Sequence, residues 1–300
     1  MSSKNNKSRK IEWSWENSAI LLPLAYEHRA LNSIYTACII AEQCGCKVIT
    51  FHVKTEANNE ESKKEFLDRL DSYAKFFRIE YEVKETSEVY DSDDLSKISD
   101  LIVKSSEENN CRSIIMGAHR ESFLRELIGR ISDRVARKAN CNVILVESSN
   151  TGMTMPRLPK RIMVTILDNL AHQDAFILAA AFTSTASAPD CEIIACRIIR
   201  IPAATPLPAI ESSKLFKVIE KAFAEQMALA IESLGRLFTP RILPVRDIGQ
   251  GVTDFTTQEG IELLILESEQ PGRLGPAMTR EEYAIVKKTP CIVLVVIPNR

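Results

Sequence analysis

The chain has 300 residues, 45% hydrophobic and 26% charged, with a formal net charge of −2 at pH 7. That length exceeds one average domain and suffices for two buried cores. The near-neutral balance excludes a global drive toward nucleic acid or an anionic membrane. The longest apolar runs, AFILAAAF and CIVLVVI, fall short of the ~18 residues of a spanning helix.

In chain order, MSSKNNKSRK is basic and polar with no apolar core behind it, so it is not a secretory signal. Residues 1–17 read as a polar tail, and the cytoplasm is the simplest placement. Continuous apolar runs near 18–25, 47–53, 79–84, 112–117 and 142–147 predict strands buried on both faces. Helical patterns fill the gaps near 29–44, 60–77, 94–109 and 123–139. The last carries Leu124, Leu127, Ile128, Ile131 and Val135 as an apolar stripe. The segment ESSNTGMTMPRLPK predicts a linker at 150–159. A second series follows, with strands near 161–167, 192–199, 241–246, 261–266 and 291–297 and helices near 171–186, 211–236, 250–259 and 278–288. Within it, DIGQGVTDF holds a G-x-G without the third glycine and distant acid of a dinucleotide fingerprint. It reads as a helix start with Thr253 or Asp254 near the cap.

The two series are copies of one unit. Lys138, Cys141, Val143 and Val146 recur as Lys288, Cys291, Val293 and Val296 at a constant shift of 150, and SIIMG matches LLILE at the same shift. Strand–helix alternation implies parallel sheets with right-handed crossovers. The predicted domains are therefore 18–149 and 160–300. The reading calls for two sheet units rather than one continuous sheet. The last strands, 142–147 and 291–297, are apolar edges that need cover, and pairing them with each other makes a dimer within the chain; a homodimer is the other route. The eight cysteines lie mostly in apolar surroundings, and Cys44–Cys46 is a C-x-C without a second pair at metal spacing. No metal site is predicted.

GRISDRVARKANCNVILV, from Gly129 to Val146, and ILLPLA followed by a long helix resemble the universal stress protein family. The likeness is close in 18–147 and a matter of pattern in 160–298, where the copy is degenerate. It implies an α/β fold of two tandem doubly wound domains, each a five-stranded parallel sheet of order 3-2-1-4-5. It also implies an ATP or AMP site in the crevice where the strand order reverses. Family members use an aspartate ending strand one and a Gly-x2-Gly-x9-Gly-Ser/Thr loop after strand four, whose small residues and helix-start amides receive phosphate. Gly117 and Gly129 match the first and third glycines. Arg120 stands in place of the second, Arg130 in place of Ser/Thr, and Ala25 in place of the aspartate. Glu27 is the carboxylate nearest to a replacement, and His119 lies in the loop. In the second copy Glu267 takes the first-glycine position and opposes a phosphate, and Thr279 falls where Gly129 maps.

Arg120 and Arg130 have two readings, forks that meet an anion or solvated residues; Glu126–Arg130 and Asp133–Arg137 are i,i+4 pairs of the kind that decorate exposed helix faces. The resemblance implies a cytoplasmic stress-response binding or regulatory module, with any adenine nucleotide in the first domain only. The alternative is an interaction protein without nucleotide, acting as a soluble regulatory subunit of a membrane transporter. No nucleophile or base converges on the crevice, so the chain does not read as an enzyme, and weak ATP hydrolysis stays open.

Overall fold

The structure, a computed structural model, describes residues 18–24, 31–56, 60–118, 131–147, 158–167, 173–183, 191–204, 206, 210, 213–268 and 277–299. The first half runs β1 (Ala19–Pro23), α1 (Leu31–Cys44), β2 (Lys47–His52), α2 (Glu60–Phe77), β3 (Tyr81–Glu85), α3 (Leu95–Glu108), β4 (Cys111–Ala118), α4 (Ile131–Lys138) and β5 (Asn142–Glu147). The second runs β6 (Arg161–Ile166), α5 (Gln173–Thr183), β7 (Glu192–Arg200), α6 (Lys214–Leu234), β8 (Thr239–Val245), α7 (Ile248–Gln258), β9 (Leu263–Glu267), α8 (Arg280–Lys288) and β10 (Ile292–Ile297).

The strands form one ten-stranded sheet in the order β3-β2-β1-β4-β5-β10-β9-β6-β7-β8. All neighbours are parallel except β5 and β10, which pair antiparallel through Val293↔Glu147, Leu294↔Val146, Val295↔Leu145, Val296↔Ile144 and Ile297↔Val143. Each half therefore has the order 3-2-1-4-5. The last strands pair within the chain, as their apolar edges led one to expect, and this pairing joins the two sheet units, read as separate, into one continuous sheet. Strand polarity reverses at that pair and marks the border of the two units.

Strand side chains alternate between two cores. Ile20 and Leu22 join the layer under α1, α2, α5 and α6, whereas Ala19 and Leu21 join the layer under α3, α4, α7 and α8. Helices cover both faces, which explains the continuous apolar runs. Leu294 and Val296 continue the first layer across the border, and Val293 and Val295 the second. Polar bonds reinforce the junction. Asn299 N–H donates to Asn142 Oδ1 at 2.8 Å, and Ala277 N–H to Asp133 Oδ1 at 3.2 Å. Asp174 of α5 bonds the Asn142 side chain, and burial holds its carboxyl above the usual range.

One local expectation changes and another falls partly outside the described residues. Within the described residues α4 begins at Ile131, and Leu124, Leu127 and Ile128 lie outside them. The cap of α7 is Asp247, whose carboxylate accepts from Gln250 N–H at 2.6 Å; Thr253 sits inside the helix and donates to the Gly249 carbonyl. The two glycines serve packing. A Cβ on Gly249 would lie 2.9 Å from Ala284 Cβ, and one on Gly251 would lie 2.2 Å from Val245 Cγ1. They let α7 press against α8 and β8.

Candidate crevice in each half

Strand order reverses between β1 and β4 in the first half and between β6 and β9 in the second. In open α/β sheets a crevice opens there, beyond the carboxyl ends of the strands. In the first half β1 delivers the chain to that point and β2 holds it in place. Leu24 N–H donates to the Phe51 carbonyl at 3.0 Å. His52 Nδ1, buried at the end of β2, lies 2.8 Å from the Leu24 carbonyl, so this nitrogen carries the proton. The residue before Ala25 is thus pinned on both its backbone groups. Sequence reading missed His52, a lone histidine whose role depends on a strand neighbour 28 residues away.

Gly117 is at the carboxyl end of β4, opposite Val146 of β5. Ala25, Glu27, His119, Arg120, Gly129 and Arg130 lie outside the described residues. At the start of α4, Asp133 bonds Ala277 of the second half and pairs with Arg137 at 2.9 Å, as its i,i+4 spacing predicted. The pair is half-buried at the junction between halves rather than on a solvated face.

The second half places Glu267 opposite Val296, the same register position that Gly117 holds opposite Val146. Its carboxylate is buried and accepts from Ala175 N–H, in the first turn of α5, at 3.0 Å. The amides of a helix start attract an anion, and here the protein supplies one. The start of α8 is satisfied likewise. Thr279 and Glu282 form a capping box in which the buried Glu282 carboxylate accepts from Thr279 N–H at 2.6 Å, and it also accepts from Ser268 Oγ at 2.7 Å. The T-x-x-E spacing was legible in the sequence; the Ser268 partner, 14 residues earlier, was not. Both helix starts that border the second crevice thus carry the chain's own carboxylates.

Among the described residues no group of histidine, cysteine, aspartate and glutamate is placed to hold a metal ion. The cysteines are free, and burial pushes the Cys38, Cys111, Cys191 and Cys196 thiols up to about 12. A cavity of about 710 Å³ lined by Ser18, Glu42, Cys46, Lys47 and Arg78 lies at the amino ends of β1 and β2. It is at the end of the sheet opposite the crevice. Among the described residues no helix is long and apolar enough to cross a membrane.

Residues 19–147 match the universal stress protein family. A universal stress protein from Archaeoglobus fulgidus superposes with a TM-score of 0.58 at 15% identity, covering 93% of this chain and 96% of that one. A functionally unknown protein from Pseudomonas aeruginosa gives 0.54 at 13% identity over 94% and 93%. The cytoplasmic domain of a prokaryotic cation chloride cotransporter gives 0.53 at 11% identity over 94% and 96%. Identities this low speak to fold alone, and each superposition spans both halves. No curated protein sequence matches the chain.

Proposed function

We propose, from the premise that this chain carries a universal stress protein domain over residues 19–147, that it is a binding and regulatory module whose adenine-nucleotide site, for ATP or AMP, is confined to that domain. The asymmetry of one register position carries the reading. At the carboxyl end of the strand beside the crevice, the first half has Gly117, with no side chain, where the second has Glu267 with its carboxylate on a helix-start amide. A phosphate entering the second crevice would meet two buried carboxylates, Glu267 and Glu282, on the amides it needs. In the first domain Gly117 allows close approach of backbone to phosphate. The resemblance adds Gly129 to the phosphate loop; His119, Arg120 and Arg130 are this chain's own side chains for the phosphates there, and Glu27 stands in at the nucleoside end, where Ala25 replaces the family's aspartate. The domains are 18–149 and 160–300, joined by 150–159, and catalysis forms no part of this role.

Mass spectrometry of small molecules released from natively purified protein tests this, with calorimetric titration of ATP and AMP. The expected result is one nucleotide per chain, lost in Gly117→Val and kept in Glu267→Gln. Chain that purifies without nucleotide and takes up neither ATP nor AMP would remove the proposal.

A second reading is a regulatory subunit for a membrane transporter. It is supported by the whole-chain likeness in fold to the cotransporter's cytoplasmic domain. Nucleotide-free protein that co-purifies with a membrane partner would favour it.

A further inference from the structure

The outer face of α6 departs from what its repeat requires. Its inner face is ordinary, with Phe223 and Met227 buried. On the other side Leu215, Val218 and Leu229 are 69%, 64% and 64% exposed, and Ala222 is exposed between them. Spacings of three, four and seven residues place all four on one stripe of the helix. A single exposed leucine needs no explanation, whereas a row along one helix face marks an interaction site. The first half supplies the control. In α2, which occupies the same place in the repeat, the outer face carries the exposed polar residues Glu61, Lys64, Asp68, Ser72 and Lys75, with Phe76 a single exposed apolar side chain at its end rather than a row. The fold therefore forms without an apolar outer stripe, and α6 carries one in addition.

The charges beside the stripe indicate what covers it. At 100° per residue, Lys214, Lys221, Glu225 and Glu232 fall in one row along its flank. The row is basic in the first half of the helix and acidic in the second. Lys221 and Glu225 are only loosely paired within the helix, at 3.9 Å, and both are largely exposed. Laid antiparallel on a second α6, Lys214 and Lys221 of one copy face Glu232 and Glu225 of the other, and apolar stripe meets apolar stripe. The ends of the sheet offer no competing mode. β8 carries Pro240 and Pro244 and β3 carries Glu82, Lys84 and Glu85, residues that obstruct edge-to-edge strand pairing.

We infer that α6 is a self-association surface on which a second copy of this chain packs antiparallel. The inference is independent of the nucleotide reading. Sedimentation equilibrium of the full chain over a concentration series tests it, without added nucleotide. The expected behaviour is a monomer–dimer equilibrium whose dissociation constant rises about tenfold or more in Val218→Glu and in Leu229→Glu. Lys214→Glu/Lys221→Glu and Glu225→Lys/Glu232→Lys each weaken the dimer, and an equal mixture of these two variants recovers it as a heterodimer. All the substituted side chains are exposed, and circular dichroism confirms that the variants fold. A chain that stays monomeric to its solubility limit, a dimer indifferent to these substitutions, or charge variants that fail to recover on mixing would each overturn the inference.

Discussion

Glu267 shows how one side chain changes what a repeated crevice can accept. Its register partner in the first half is a glycine, and the carboxylate occupies a helix-start amide. Removing it leaves a buried donor unmet, which costs about 1–3 kcal/mol. Glu267→Ala is therefore expected to lower stability by that amount in a denaturant titration, with Glu267→Gln costing less because its side-chain carbonyl still accepts. The buried thiols make a second residue-scale prediction. Cys38 and Cys196 titrate near 12 in the fold against an ordinary value of 9.0, because burial penalises the thiolate. The folded pKa is raised, so this contribution is complete below pH 9 and declines as pH climbs from 9 toward 12, where the unfolded thiol ionises first. Each such thiol contributes a slope of at most about 1.4 kcal/mol per pH unit in that window. Melting temperatures from pH 8 to 11 check it, as does alkylation of both thiols at pH 8, expected to be slow until the chain unfolds.

At the scale of elements, strand and helix positions followed from apolar runs and periodicity, and most boundaries agree to within two or three residues. The exceptions have physical causes. DIGQGVTDF is a helix start, as read, but the cap is Asp247 rather than Thr253 or Asp254, and the glycines are contact points for α8 and β8. Gly251→Ala is expected to cost about 1–3 kcal/mol through overpacking against Val245, read as a lower denaturation midpoint at unchanged denaturant slope. α6 closes on Gly235 in the left-handed region at φ 62°, with its N–H on the Ile231 carbonyl. No neighbour approaches its would-be Cβ, so Gly235→Ala isolates backbone strain, worth about 1 kcal/mol.

At the scale of the molecule, the β5–β10 pair ties two repeats into one sheet with two shared cores. The halves are therefore expected to unfold in one calorimetric transition whose van't Hoff and calorimetric enthalpies agree. Leu145 and Val295 face each other at this pair, both buried. A charge there has no partner and costs several kcal/mol. Leu145→Asp is expected to split the scan into two transitions or to abolish folding. A single transition with an unchanged midpoint would show that the seam contributes little.

The repeat, the strand order implied by resemblance and the pairing of the valine-rich last strands were legible in the residues, because burial on both faces imposes a pattern that survives at low identity. The glycine-for-glutamate exchange at 117 and 267 was legible too. What the sequence left open is what those residues touch. The amide under Glu267, the carbonyl beside His52 and the serine on Glu282 are supplied by segments 92, 28 and 14 residues away, and the spacing of side chains along a chain carries no record of contacts that exist only once the sheet has brought its strand ends together.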